Sequence, residues 1–233
     1  MIETYYYPYD GSSIPGWNAL TPSTQQSNLS LMNSKNYNTT VVQQTLSLKK
    51  GSSSSQPLYS KLTGFMSISG KPNLFLPETN YFQTGSNPYE SRIRYHSYDN
   101  YGNPTCISQE NGPMIVYIWG YKGQYPVAKI ESTSNLSSFY TTVTTAIGSS
   151  NMTTLAGNPT DAQVKNIFTG LRNHSSMTGE LITSYTYKPL VGISSETDPS
   201  GRVITYEYDS FGRLKTVKDE QGKILKEHKY NYQ

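Results

Sequence analysis

The sequence predicts a mainly β fold: an antiparallel meander of short hairpins with a small helical insertion at about residues 132–180. Three observations predict it. The first is a repeated quartet, Asp-x-x-Gly, at Asp99–Gly102, Asp198–Gly201, Asp209–Gly212 and Asp219–Gly222; Gln109–Gly112 carries the Gly without the Asp. An Asp at the first position caps the N–H groups of a type I turn, and a Gly at the fourth accepts φ > 0 and forms a bulge, a common hairpin connection. The second is spacing. Asp198 to Asp209 is 11 residues, Asp209 to Asp219 is 10, and Asp99 to Gln109 is 10. Removing the turn leaves about six or seven residues, an ordinary strand. The third is composition. The 233 residues include 21 Tyr against 6 Phe, with only 15% charged and 34% hydrophobic. Tyr and Thr suit half-buried pleated surfaces, and so many aromatics argue against disorder.

Along the chain, Glu3 to Tyr9 reads as an opening strand, followed by a loop rich in Pro, Ser and Asn and a strand around Thr40 to Leu48. Gly51 to Ser55 is a flexible hairpin tip. Tyr59 to Ser69 and Phe75 to Phe82 are further strands, with Pro72 and Pro77 breaking the chain between them. Arg92 to Tyr98 leads into the first quartet. "PMIVYIWGY", Pro113 to Tyr121, is apolar on both faces and reads as a central buried strand. Then the period changes. Leu136, Phe139, Tyr140, Val143 and Ile147 share one helical face, with Ser134 or Asn135 as cap and Gly148 at the exit. Met152 to Ala156 adds a turn. After "NPTD", Val164, Ile167, Phe168 and Leu171 mark a second helix. Three segments follow, 1–131, 132–180 and 181–233, within one continuous domain.

Net charge is +3, with Lys and Arg scattered; nothing points to nucleic acid. The basic residues near the C-terminus alternate with acids, as on a solvated strand face. The single cysteine, Cys106, excludes an intrachain disulfide framework. The longest apolar run, Met114 to Trp119, is too short to span a bilayer, and the opening residues show no signal peptide. His96, His174 and His228 lie far apart with no metal-ligand spacing. Cys106 follows a turn with no helix N-terminus to activate it. Asp99, Asp198, Asp209 and Asp219 sit at turn starts, so a structural role fits them better than paired catalysis. "GYKGQYP" lacks the strand–loop–helix context of a phosphate site. The sequence predicts no catalytic residues, no metal and no cofactor. The sequons at Asn28, Asn38, Asn135, Asn151 and Asn173 are what an Asn/Ser/Thr-rich chain contains by chance.

A longer period underlies the turns. Tyr98, Tyr187 and Tyr208 each have a Gly fourteen residues on, at Gly112, Gly201 and Gly222. Tyr98 and Tyr208 also have a Gly four residues on, Gly102 and Gly212. "YDNYGNP", "YEYDSFGRL" and "TDPSGR" resemble the YD repeats of the RHS-repeat family. "YIWGYKGQYPVAKI", "YTYKPLVGISSETDPSGRVITYEYDSFGRL" and the opening "YYYPYD" are similar to RHS proteins of Bacteroidetes, in the C-terminal portion of the repeat array. The likeness is strongest from Tyr98 to Gln233. It implies hairpins winding into a spiral sheet that builds a hollow shell, often around a toxic C-terminal domain. On that resemblance the chain is a non-catalytic piece of shell or wall that encloses or displays a C-terminal domain. Its partners are neighbouring repeats or that cargo, at the cell surface or secreted, with a cytoplasmic location also open. The alternative is a surface module for carbohydrate or adhesion, with Tyr117, Trp119 and Tyr121 stacking on sugar. A self-cleaving peptidase is the third reading. A contiguous row of exposed rings favours binding; rings buried between hairpins favour the wall.

Overall fold

The computed structural model describes residues 1–21, 23–133 and 138–230. Thirteen antiparallel strands form one sheet whose order is the chain order, a meander. The expected caps Ser134 and Asn135, and Leu136 of the expected helical face, lie outside the described residues. The chain separates into two compact units, residues 1–96 with 107–111, and residues 97–106 with 112–233.

The first unit holds β1 (Ile2–Tyr6), β2 (Gln43–Leu48), β3 (Gln56–Ile68), β4 (Lys71–Thr84) and most of β5 (Glu90–Tyr98). The opening strand stops at Tyr6 rather than Tyr9. Pro8 begins a 3-10 helix, Pro8–Ser13, closed by the Asp10 carboxylate accepting from the Tyr7 N–H at 2.7 Å; proline suits a first helical position and not a strand. The stretch read as a polar loop contains a helix, α1 (Thr24–Ser34). It packs Leu29 and Met32 into a core with Ile14, Leu20, Val42, Leu62, Phe65, Phe75 and Tyr81. Its third inward residue is a glutamine. Gln25 is fully buried, donates to Thr79 and accepts from the Tyr81 hydroxyl at 3.0 Å. Pro77 does not end its strand. It lies within β4 opposite Phe65, beside a register shift between Gly64 and Phe65, where an irregular ladder tolerates a missing N–H.

The second unit contains the end of β5, the start of β6 (Pro104–Gln109), and β7 (Met114–Gly120), β8 (Tyr125–Glu131), β9 (Leu181–Lys188), β10 (Gly192–Thr197), β11 (Val203–Tyr208), β12 (Leu214–Lys218) and β13 (Ile224–Glu227). Between β8 and β9 stand α2 (Phe139–Ile147), α3 (Ser149–Ala156) and α4 (Asp161–Arg172). Phe139, Val143 and Ile147 of α2, Leu155 of α3, and Val164, Phe168 and Leu171 of α4 form one core with Val116 and Ile118 of β7, Val127 and Ile130 of β8 and Ile182 of β9. The turn expected at Met152 to Ala156 is a helix of eight residues. Helix α4 opens with a capping box between Thr160 and Gln163. Strand β7 is buried on one face only. Met114, Val116 and Ile118 face the helices, while Ile115, Tyr117 and Trp119 are half-buried on the other side.

Candidate functional site

The repeated quartets are the most regular chemistry in the second unit. In each Asp turn the Gly is left-handed, with φ 88 at Gly102, 86 at Gly201, 74 at Gly212 and 80 at Gly222. Each Gly N–H donates to the Asp carbonyl, at 3.2, 2.9, 3.0 and 3.0 Å in the same order. Each Asp also exchanges two bonds with the residue four on. At Asp209 the backbone N–H donates to the Arg213 carbonyl at 2.9 Å, and Oδ1 accepts the Arg213 N–H at 3.0 Å and the Phe211 N–H at 2.8 Å. Asp219 repeats the pattern with Lys223 and Gln221, Asp99 with Asn103 and Tyr101, and Asp198 with Arg202. Oδ2 is left for a side chain: Arg213 Nε at 2.8 Å on Asp209, Arg202 Nε at 2.8 Å on Asp198, and Asn103 Nδ2 at 3.0 Å on Asp99. The Arg213 side chain, with the turn N–H groups, holds the Asp209 carboxyl below the usual range. At Gln109–Gly112 the left-handed residue is Asn111, φ 54, a residue that tolerates this region better than most.

Three tyrosines each tie a strand, or the chain just past it, to the strand before it. Tyr187 on β9 donates its hydroxyl to the Pro126 carbonyl on β8 at 2.9 Å. Tyr208, ending β11, donates to the Ile193 carbonyl on β10 at 2.8 Å. Tyr230, past the end of β13, donates to the Leu214 carbonyl on β12 at 2.9 Å. These residues stand 21 and 22 apart. Sequence reasoning missed Tyr230; its spacing from Tyr208 was the signal. The Arg213 guanidinium lies 4.2 Å over the Tyr230 ring and 5.2 Å from that of Phe211. Room for the Tyr208 clamp comes from Gly192, where a Cβ would meet the Tyr208 hydroxyl at 2.4 Å. Tyr98 ends β5 just before the Asp99 turn.

"GYKGQYP" has a structural use. Tyr121, Lys122 and Gly123 are all left-handed, φ 50, 58 and 76. Two side-chain-bearing residues in this region are strained, and α3 shows what holds them. The Tyr121 N–H donates to the Leu155 carbonyl at 3.2 Å, and the Lys122 N–H to the Ala156 carbonyl at 3.0 Å. The turn thus caps the orphan carbonyls at the end of α3. Tyr121, 4% exposed, packs edge-on to Tyr125 and Tyr187, which stack on each other at 4.6 Å. Burial pushes the Tyr187 hydroxyl well above the usual tyrosine range.

Of the three residues proposed to stack on sugar, Tyr121 is therefore packed inside. Trp119 is half-buried and donates its indole N–H to the Pro104 carbonyl at 2.9 Å. It lines a groove of about 170 Å³ with Tyr117, Tyr101, Asp99 and Tyr140. His96 hydrogen-bonds Ser108 at 2.9 Å and His174 hydrogen-bonds Ser176 at 2.9 Å. Among the described residues no group of three or more His, Cys, Asp or Glu is placed to hold a metal ion, and no helix is long and apolar enough to cross a membrane.

Residues 192–224, from the start of β10 to the start of β13, match the RHS repeat family model. No curated protein matches the chain in sequence. Among solved structures, the chain is similar to the crystal structure of TcdB2-TccC3, with 11% identity over 81% of this chain and 10% of that one, TM-score 0.39. It is similar to TcdB2-TccC3-Cdc42 at 10% identity over 79% and 9%, TM-score 0.39. It is also similar to the Photorhabdus luminescens Tc holotoxin pore, at 9% identity over 81% and 9%, TM-score 0.39. The chain spans about a tenth of the length of these chains.

Proposed function

We propose that this chain, which carries an RHS repeat at residues 192–224, is a non-catalytic stretch of repeat wall that encloses or displays a C-terminal domain. The observation that carries this reading is the tie between strands. A tyrosine hydroxyl reaches a carbonyl of the preceding strand at Tyr187, Tyr208 and Tyr230, and Asp-Gly turns set the reversals after β5, β10, β11 and β12. Such units gain stability by stacking on their neighbours. Their partners are further repeats and the cargo, and their place of work is the cell surface or the medium. The side chains of the repeat are committed to backbone groups rather than to a reaction centre. A carbohydrate surface would need a row of exposed rings; Tyr121, Tyr125 and Tyr187 pack on one another instead. An antibody against the chain, used on fractions of the source cells, tests the proposal. The expected band lies far above the 26.1 kDa of these residues, on the surface or in the medium. A band at 26.1 kDa overturns the wall.

A further inference from the structure

The second unit presents two unlike rims. Because its strands run up and down in chain order, the turns after β5, β7, β9 and β11 all fall at one end of the sheet. The turns after β10 and β12, and the ends of β8 and its helical excursion, fall at the other. The residue at the tip differs by rim. On the first, the tips carry Tyr101, Leu190 and Phe211, exposed by 67%, 94% and 75%. These are three of the four most exposed large hydrophobic side chains described; the fourth is Met1. On the second, the tips carry Ser200 and Gln221, with Glu131, Glu180, Asp198, Asp219 and Glu220 nearby; Arg202 and Lys223 close the same turns, and the apolar side chains there, Leu181, Ile224 and Leu225, start strands and are about half exposed.

The first rim is continuous. The Tyr101 ring lies over Gly123, where a Cβ would stand 2.4 Å from it. The Tyr125 hydroxyl accepts the Leu190 N–H at 3.1 Å. Val191 lies 3.8 Å from the Cβ position of Gly212. Successive hairpins sit about 10 Å apart, two strand spacings, so Tyr101 and Phe211 are about 30 Å apart along the rim. Lys122 and Lys188 stand exposed between them; Asp99 and Asp209, which open the Tyr101 and Phe211 turns, lie on the same rim, and Arg213 beside Phe211 is paired with Asp209 within its own turn. Leu190 holds this place at φ 65, a backbone conformation that works against a leucine.

The geometry points to this rim as a contact with an anionic lipid surface, into whose headgroup layer the Tyr101, Leu190 and Phe211 side chains enter while Lys122 and Lys188 meet the lipid charge. Spacing selects this partner. A protein interface is built around a contiguous, well-packed apolar patch, whereas these are single side chains separated by polar turns. A soft interface accommodates separate apolar tips, and lysine flanked by aromatic and aliphatic residues is the chemistry that settles there.

Flotation of the full chain with phosphatidylcholine vesicles, with and without phosphatidylglycerol, tests this. Binding is expected to the phosphatidylglycerol vesicles. The double variant Leu190→Asn with Phe211→Ser should bind roughly tenfold more weakly or worse, with an unchanged melting temperature, since Asn accepts φ > 0. Leu181→Ser, on the opposite rim, should float like the parent. The idea fails if the parent does not float, or if the double variant floats equally well. It fails too if sedimentation without vesicles shows self-association that the double variant abolishes, because a second copy would then cover the rim. None of these outcomes bears on the apparent mass that tests the wall.

Discussion

At Gly212 a side chain meets the backbone's handedness directly. With φ 74, Gly212→Val puts a β-branched residue where L-residues lose about 1–2 kcal/mol, and calorimetry should show a melting point several degrees lower. Asp209→Asn should be far milder at the same turn, because its amide oxygen still accepts the Phe211 and Arg213 N–H groups. What Asn lacks is the charge, and that difference depends on pH. Arg213 depresses the folded pKa of Asp209, and the Lys218 and Thr216 side chains do the same for Glu207. A depressed carboxyl stabilises the fold above its unfolded pKa, near 4, and loses that contribution as pH falls through the folded value. The stability gap between parent and Asp209→Asn should therefore be present at neutral pH and close below about pH 4; a gap that widens in acid would contradict the pairing. These Asp and Gly roles are readable in the sequence because the turn rules are local. Tyr230 was missed although its spacing of 22 from Tyr208 carries it, since a frame that pairs each Tyr with a later Gly has no glycine to register it. Leu190 was missed too, because nothing in its type announces a left-handed turn.

Two glycines make opposite predictions about their elements. Gly64 on β3 lies under Gln25 of α1, and a Cβ there would stand 2.1 Å from the Gln25 side-chain oxygen. Gly64→Ala should destabilise by about 1–3 kcal/mol, read by urea titration. Gly170, inside α4, has open space around its Cβ position, so Gly170→Ala should stabilise by about 0.5–1 kcal/mol. Strand β6 offers a third check. Burial pushes the Cys106 thiol up to about 11, so a disulfide reagent at pH 8 should label it only as fast as the protein opens. Immediate labelling would place Cys106 at the surface. The sequence revealed α4 through the clean apolar period that follows "NPTD". It hid α1 because Gln25 occupies an inward position and Asn28 spends its amide on the Phe65 carbonyl at 2.8 Å, so no apolar stripe marks the buried face. It also overstated Pro77 as a breaker, since a bulge in the ladder is a tertiary fact.

For the molecule as a whole, two separate cores carry the stability. Leu62 is fully buried in the first and Phe168 in the second. Leu62→Ala should cost about 2–5 kcal/mol, and hydrogen exchange should show the loss first in the amides of β3 and β4. Protection lost equally in α4 would mean that the two cores unfold together. The mainly β class and the helical excursion were legible at this scale, because a periodicity of two and of 3.6 are unlike. The division between the units was not, since it runs through β5 and β6 rather than through a change of composition.

Strand order has a consequence in time. Every strand from β2 to β12 pairs with the strands made just before and just after it. Nearly all pairing is thus short in sequence, and the entropy of closing each loop stays small. Only two closures are long, the joining of β1 to β2 around α1 and of β8 to β9 around the three helices. A chain wired in this way can add hairpins in the order in which a ribosome releases them, each new edge being the template for the next. Its slowest steps belong to the two excursions, where helices must dock before the meander resumes.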